Sequence, residues 1–212
     1  MSHKAQAEVI TIVLITGIVI ALVGTAYMWG MPLIQKRTSV TEFLSAEDFA
    51  SKLSDKMVEI ASSGFGEATL PIPKGIIRVR EFNQTMPGGL RNPDYNSVML
   101  EVPVSHPLAM SSSVVLRTNV LGENATYGEA EPRVINMSST ISESLNKLIF
   151  NIHFRELDTR SQPPKGYLIA VQKGAVTGSS QVVVSYAGTM LLNNLAANGG
   201  DLIVTKIKVD VV

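Results

Sequence analysis

The sequence predicts an α+β protein in which one long N-terminal hydrophobic α-helix is followed by an antiparallel β-sandwich-like domain. Three patterns support this fold class. Residues 9–31 form an apolar run without charge, and residues 41–63 repeat apolar side chains at helical spacing. From residue 76 onward, short Val- and Ile-rich segments are separated by turn residues. The chain is therefore expected to divide into a helical part and a β-rich domain at residues 64–212.

The apolar run Val9–Met31 is the strongest of these patterns. It has 23 residues and no charge, and a helix of that length spans about 35 Å. This is enough for a bilayer core of about 30 Å, and a lone span in lipid must be helical to satisfy its backbone polar groups. Tyr27 and Trp29 lie near one end, where amphipathic rings favour the membrane interface. We expect a membrane span rather than the alternative, a buried helix of a soluble core.

The segment before the apolar run differs from a conventional secretory signal. Only eight residues precede the run, and they include the acidic Glu8. No small-residue cleavage motif follows, because the sequence continues with bulky residues such as Tyr27 and Trp29. We therefore expect the apolar run to remain in the mature protein.

Residues 41–63 predict an amphipathic helix that packs one face on a domain. Between the two helical parts, Pro32 is expected either to kink the helix or to mark a local break. Asp48 and Lys52 have the spacing of a supportive ion pair, and Gly64 is a candidate for the left-handed residue that ends the helix. The apolar positions are three or four residues apart: Phe43, Ala46, Phe49, Leu53, Met57 and Ile60.

Beyond residue 63 the period becomes strand-like. Residues 64–75 are predicted to be a connector, and the turn residues 198–201 precede the clearest strand, in which Ile207, Val209 and Val211 alternate with charged side chains. Short strands without intervening helices favour an antiparallel sandwich. The candidate strands are Ile76–Phe82, Ser97–Val104, Val114–Leu121, Leu148–Phe154, Tyr167–Gln172, Gln181–Tyr186 and Leu202–Val212.

Composition excludes several functional classes. Lys and Arg total 18, as do Asp and Glu, so no basic stripe is present for a nucleic-acid partner. The absence of cysteine excludes disulfides and thiolate chemistry. His3, His106 and His153 share no metal-ligand spacing with acidic residues, and no nucleophile elbow or phosphate loop occurs. We expect a protein that is not an enzyme and has no cofactor or metal.

Three asparagines are candidate N-glycosylation positions. Asn83, Asn124 and Asn136 each begin an Asn-X-Ser/Thr triplet. All three fall in the domain that is expected to lie outside the membrane and near predicted loops, although a chain rich in Ser and Thr yields some such triplets by chance.

The segment Lys4-Ala5-Gln6-Ala7-Glu8 stands directly before the apolar run. This arrangement resembles the start of archaeal type IV pilin-like preproteins, the superfamily of pilins and archaellins with a class III signal peptide. The resemblance covers roughly residues 3–31, and the β-rich domain agrees in architecture. It implies that residues 1–5 are a leader and residues 6–63 the N-terminal helix. A prepilin peptidase would cut between Ala5 and Gln6, or between Lys4 and Ala5.

The resemblance also implies that the retained helix forms the core of a helical filament. Gly17, Ala21 and Gly24 share one helix face and would allow close approach of a neighbouring helix, although small residues are also common in membrane helices. A carboxylate at the edge of an apolar helix is costly unless it is paired. Glu8 would then neutralise the freed α-amino group of an adjacent subunit; in the alternative, it faces water at the interface.

Together these features predict a structural subunit of an extracellular type IV pilus-like filament that serves adhesion, surface contact or motility. Its expected partners are further copies of the same chain, the prepilin peptidase and the pilus assembly machinery. The precursor is expected to be inserted in a membrane, and the filament to lie at the cell surface. The alternative is a membrane-anchored extracellular binding protein with a β-sandwich domain, which would keep its N-terminal residues.

Overall fold

The computed structural model describes residues 3–82, 95–104, 114–117, 125–141 and 146–212. Within these ranges the chain forms one α-helix, α1 (His3–Ser63), followed by β-strands. The strands are β1 (Glu67–Pro71), β2 (Ile76–Arg80), β3 (Ser97–Pro103), β4 (Val114–Arg117), β5 (Ala125–Thr126), β6 (Arg133–Ile141), β7 (Asn146–Phe154), β8 (Leu157–Asp158), β9 (Lys165–Val176), β10 (Gln181–Leu192) and β11 (Asp201–Val211).

Helix α1 is continuous over 61 residues and passes through Pro32. Of the two alternatives at Pro32, the local break is therefore wrong, and the kink stays a prediction. Proline removes one backbone donor, but the turns on either side keep their own hydrogen bonds and the helix persists. The helix ends as predicted at Gly64, whose φ is +71° and whose N–H donates to the carbonyl of Ile60 at 3.1 Å. The predicted pair also forms, with Lys52 Nζ 2.7 Å from Asp48 Oδ2.

The predicted α+β class is confirmed, with the strands arranged in two sheets. The larger sheet has six strands in the order β1-β10-β11-β9-β8-β5, and the smaller has five in the order β2-β3-β7-β6-β4. All pairs in the smaller sheet are antiparallel. In the larger sheet β9 pairs with β11 in parallel, as does β5 with β8. Because β11 inserts between β9 and β10, which run in opposite directions, it is antiparallel to β10 and parallel to β9.

Several strands differ from those expected. The predicted connector contains β1, which pairs antiparallel with β10, and the long strand β6 was not predicted although it pairs with β7 along nine residues. Strands β9 and β10 extend beyond their predicted ends, to Val176 and Leu192. Of the predicted strand Val114–Leu121, residues 118–121 lie outside the described residues.

The amphipathic half of α1 forms part of the main core together with both sheets. The predicted stripe is confirmed: Ala46, Leu53 and Met57 are fully buried. Phe43 packs against this core, its ring centroid 6.0 Å from that of Phe150 in β7. Burial of each large apolar side chain stabilises the fold by about 1.5–3 kcal/mol. The helix is thus an integral part of the domain from Phe43 onward.

Strand β9 is buried on both faces near its middle. Ile169 and Val171 belong to the main core, while Leu168 and Ala170 belong to a smaller cluster. The partner strand β11 also buries both faces, each over a different part of its length. Leu202 and Val204 face the smaller cluster, whereas Ile207, Val209 and Val211 lie on the opposite face and belong to the main core.

A buried asparagine joins the two sheets. Asn96, next to the start of β3, is 2% exposed. Its Nδ2 donates to the carbonyl of Ile169 at 2.7 Å, and its Oδ1 accepts from the N–H of Val171 at 2.8 Å. The side chain of Asn96 therefore makes hydrogen bonds to this part of the β9 backbone that a neighbouring strand would otherwise make.

Ion pairs fix α1 to the strands around it. Lys74 Nζ lies 2.9 Å from Glu42 Oε1 near the point where α1 meets the domain. Further along α1, Asp55 pairs with the buried Arg133 of β6, which also contacts Glu131 at 3.1 Å. Burial lowers the pKa of the nearby Arg155 guanidinium, and the negative charge of Glu131 partly opposes that change. The buried Arg133 is accommodated because two carboxylates face it.

Candidate functional site

The N-terminal part of α1 projects from the domain as an exposed apolar stalk, here residues 11–34. Its most apolar window has a mean hydropathy of 2.2 and no buried residue. Ile20 is 67% exposed, Met28 76% and Trp29 77%. By length and composition, α1 is able to cross a membrane.

Exposed apolar surface continues beyond the predicted span. Val40 and Leu44 remain 42% and 55% exposed, although α1 already packs on the domain at Ala46. From Ile12 to Leu44 the exposed apolar positions extend over about 48 Å at about 1.5 Å per residue. A bilayer core of about 30 Å covers only part of that length.

The predicted small-residue face of the stalk is open. A Cβ placed on Gly17 or Gly24 would meet no atom within 4 Å, and Ala21 is exposed. Thr16 and Thr25 donate their hydroxyls to the carbonyls of residues 12 and 21, each at 2.8 Å, which hides these polar groups from an apolar environment. Packing of Gly17, Ala21 and Gly24 against another helix stays a prediction.

The predicted leader and the acid that follows it lie at the start of α1. The helical backbone includes Lys4, Ala5, Gln6 and Glu8. Both candidate cleavage bonds are therefore close to the beginning of the helix. Cleavage at either bond, and pairing of Glu8 with a neighbouring amine, stay predictions.

A notch of about 230 Å³ lies where α1 meets the domain. We call it the junction notch. On one side the Lys74–Glu42 ion pair contributes to its lining. Its walls come from α1, from the segment after β1 and from β3: Thr38, Thr41, Glu42, Ser45, Pro73, Lys74 and Val102.

Charged residues flank the stalk and the junction notch on α1. Lys36 is exposed just beyond the stalk, and no ion pair involves it among the residues that the structure describes. Asp48 lies three residues past Ser45 of the notch and pairs only with Lys52 in that part of the chain, both side chains being more than 60% exposed. Exposed pairs of this kind contribute little stability and rearrange readily.

The candidate glycosylation sites have different settings. Asn83 and Asn124 lie outside the described residues. Asn136 lies within β6, opposite Asn151 of β7, and its Oδ1 is buried without a hydrogen-bond partner. An amide inside a paired strand is a poor acceptor once the domain has folded, because the transferase needs access to it.

Peptide mapping of the protein from its native cells is therefore expected to find glycan on at least one sequon, at Asn83 or Asn124, and none at Asn136. Asn151 on the adjacent strand does not begin a sequon and serves as the unmodified control. If all three sequons proved unmodified, the glycosylation prediction would be wrong, with no consequence for assembly.

Of the three histidines, only the side chain of His153 lies within the described residues. His153 lies in β7, where a strand-face residue was expected, and His106 lies outside the described residues. Within the described ranges, no group of three or more His, Cys, Asp or Glu side chains is arranged to hold a metal ion.

Comparison with known proteins gives no further assignment. No family model matches the chain, and neither the curated proteins nor the solved structures include a match to it.

Proposed function

We propose that this chain is a structural subunit of an extracellular, type IV pilus-like helical filament, assembled through the stalk. The filament serves adhesion, surface contact or motility, and the membrane holds the precursor before assembly. The prepilin-like N-terminus supports this proposal, as does the order of an apolar helix followed by a β-rich domain.

The observation that carries the proposal is the exposed apolar surface of α1. The stalk has no buried residue, so the chain's own domain buries no part of it. The exposed apolar positions continue to Leu44, beyond the length that a bilayer covers. Outside lipid, a surface of this size must be covered by other protein, and identical stalks offer the same apolar chemistry.

Assembly of this kind avoids exposing the stalk to water. A helix that is apolar on all sides moves from lipid into a bundle of like helices, where close packing holds it. Addition of subunits by a fixed rise and rotation gives an open helical polymer. Glu8 then pairs with the new α-amino group of a neighbour, because a carboxylate that enters an apolar core needs a compensating cation.

Filaments sheared from native cells are expected to contain this chain with Gln6 or Ala5 as its first residue. Removal of the leader creates the α-amino group that Glu8 requires. Electron microscopy of the sheared material and mass spectrometry of its N-terminal peptide test this result. The membrane fraction of the same cells provides the control, since it should also contain the uncleaved precursor.

An intact Met1 on surface-exposed protein would contradict processing. If native surfaces also carried no filament with this chain, the filament proposal would be wrong. The membrane-anchored binding protein would then be the better description.

A further inference from the structure

Two positions on α1 form a short apolar and basic unit at the end of the stalk. Leu33 is 62% exposed, and the exposed Lys36 follows three residues later. Side chains three residues apart are neighbours on a helix surface. Leu33 therefore projects as an apolar knob. The positive charge of Lys36 lies beside it, closer to the domain along α1.

The junction notch has the complementary arrangement. Ser45 lines the notch, and Asp48 follows three residues later with an exposed side chain. Pro73 and Val102 also line the notch, Val102 as a residue that is only 1% exposed. Along the helix axis, the notch at Ser45 is thus followed three residues later by a negative charge. The knob at Leu33 is followed at the same spacing by a positive charge.

Leu33 and Ser45 are twelve residues apart, as are Lys36 and Asp48. Twelve residues correspond to about 18 Å along the axis and a rotation of about 120° around it. Knob and notch therefore point to different sides of α1. One copy can present its knob to one neighbour and its notch to another, as an open polymer requires.

We propose that adjacent copies of this chain pack in parallel with an axial offset of about 18 Å, so that Leu33 of one copy enters the junction notch of the next. Lys36 then lies beside Asp48 of that neighbour. This inference rests on the proposed function, because it specifies the register of the helix packing from which the filament is built.

Two other arrangements are less favourable. Copies inserted in one membrane with the same topology are parallel, which excludes an antiparallel arrangement. Parallel packing without an offset would place Lys36 beside Lys36 and Asp48 beside Asp48, and like charges at contact distance repel. The offset pairs opposite charges instead, and Asp48 gives up only an exposed contact with Lys52.

Cysteine cross-linking tests this register directly, because the natural chain contains no cysteine. The full-length Leu33→Cys/Ser45→Cys variant, oxidised on intact cells, is expected to give a ladder of dimers and higher species. A disulfide forms only when the two Cα atoms approach to about 4.4–6.8 Å. In the matched control, Leu33→Cys/Ser62→Cys, the second exposed serine lies about 25 Å farther along α1, and no ladder is expected.

Exchange of the charges at Lys36 and Asp48 distinguishes loss of their ion pair from general damage to the fold. Added to the Leu33→Cys/Ser45→Cys chain, Lys36→Asp should lower the cross-linked fraction several-fold. Adding Asp48→Lys to that variant should restore the fraction. A loss that the second change does not restore would overturn the pairing of Lys36 with Asp48.

The outcomes for register and for filament formation are distinguishable. If filaments form but the Leu33→Cys/Ser45→Cys variant gives no ladder, the proposed register is overturned and the filament proposal is unaffected. A ladder on cells without filaments would support the contact between Leu33 and Ser45 of adjacent copies and contradict the proposed function. Absence of both would overturn both.

Discussion

Deletion of residues 1–35 is expected to convert the chain into a soluble, folded monomer that begins near Thr38. The deletion removes the stalk, which contributes no buried residue. All α1 residues of the main core, from Ala46 to Ile60, remain. The ion pairs of Glu42 with Lys74 and of Asp55 with Arg133 also remain. The shortened chain therefore loses its membrane affinity while keeping the contacts that stabilise the domain.

Light scattering measures the oligomeric state, co-sedimentation with membranes measures membrane affinity, and thermal unfolding followed by circular dichroism measures folding. A longer deletion, of residues 1–50, is the matched control. It also removes Phe43, Ala46, Phe49 and Ala50 from the core, and loss of one buried Phe side chain alone costs about 3–5 kcal/mol. Since domains are typically stable by about 5–15 kcal/mol, the longer deletion should not fold. Polymerisation of the 1–35 deletion as efficiently as the full chain would exclude assembly through the stalk.

Replacement of Asn96 by alanine is expected to destabilise the domain by about 2–5 kcal/mol. The amide of Asn96 satisfies the carbonyl of Ile169 and the N–H of Val171. Both backbone groups belong to a buried part of β9, and a buried polar group left without a partner costs about 1–3 kcal/mol. The variant also loses the link between the smaller sheet and β9.

Urea unfolding of the soluble domain measures this difference in the free energy of unfolding. The matched control is Asn193→Ala, at an exposed asparagine in the turn after β10, where a change within about 0.5 kcal/mol is expected. An effect of Asn96→Ala in that same small range would show that water or a local rearrangement replaces the amide. Asn96→Asp should also destabilise, because it removes the donor to Ile169 and buries a charge.

The helical part of the chain was largely predictable from local patterns. The stripe from Phe43 to Ile60 matches the face that packs on the domain, and Gly64 ends the helix in the expected left-handed conformation. These features depend on residues three or four positions apart, which a linear pattern contains. At Pro32 the sequence left a kink or a break open, and the continuous helix excludes the break, because the remaining hydrogen bonds of a long helix can offset the cost of one proline.

The strands were easiest to predict where one face is buried and the other exposed. Alternation revealed β11, whereas β6 mixes Ser and Asn with its apolar residues, and its Asn-Met-Ser triplet resembles a loop. The part of β9 that is buried on both faces was predicted, whereas its extension over residues 173–176 is largely exposed and includes Gly174, so no buried pattern revealed it. β1 has only five residues and ends at a proline, and its pairing with β10 stabilises it as a strand.

The role of Asn96 was not foreseen, since an asparagine close to proline and aspartate is typical of a turn. Only its position beside β9, more than seventy residues later in the chain, makes it a structural link. The junction notch likewise combines residues of α1 with the segment after β1 and with Val102 of β3. No local pattern in the sequence brings those three segments together.

Sequence alone determined that a long apolar helix leads into an amphipathic one and that a β-rich domain follows, because helix periodicity, charge-free length and the helix-ending glycine act between near neighbours in the chain. Only the tertiary structure decided that β9 and β11 are parallel, that Asn96 joins the sheets, and that apolar surface remains exposed as far as Leu44. Strand order and burial depend on which distant segments meet, and those contacts follow from the packing of the whole domain.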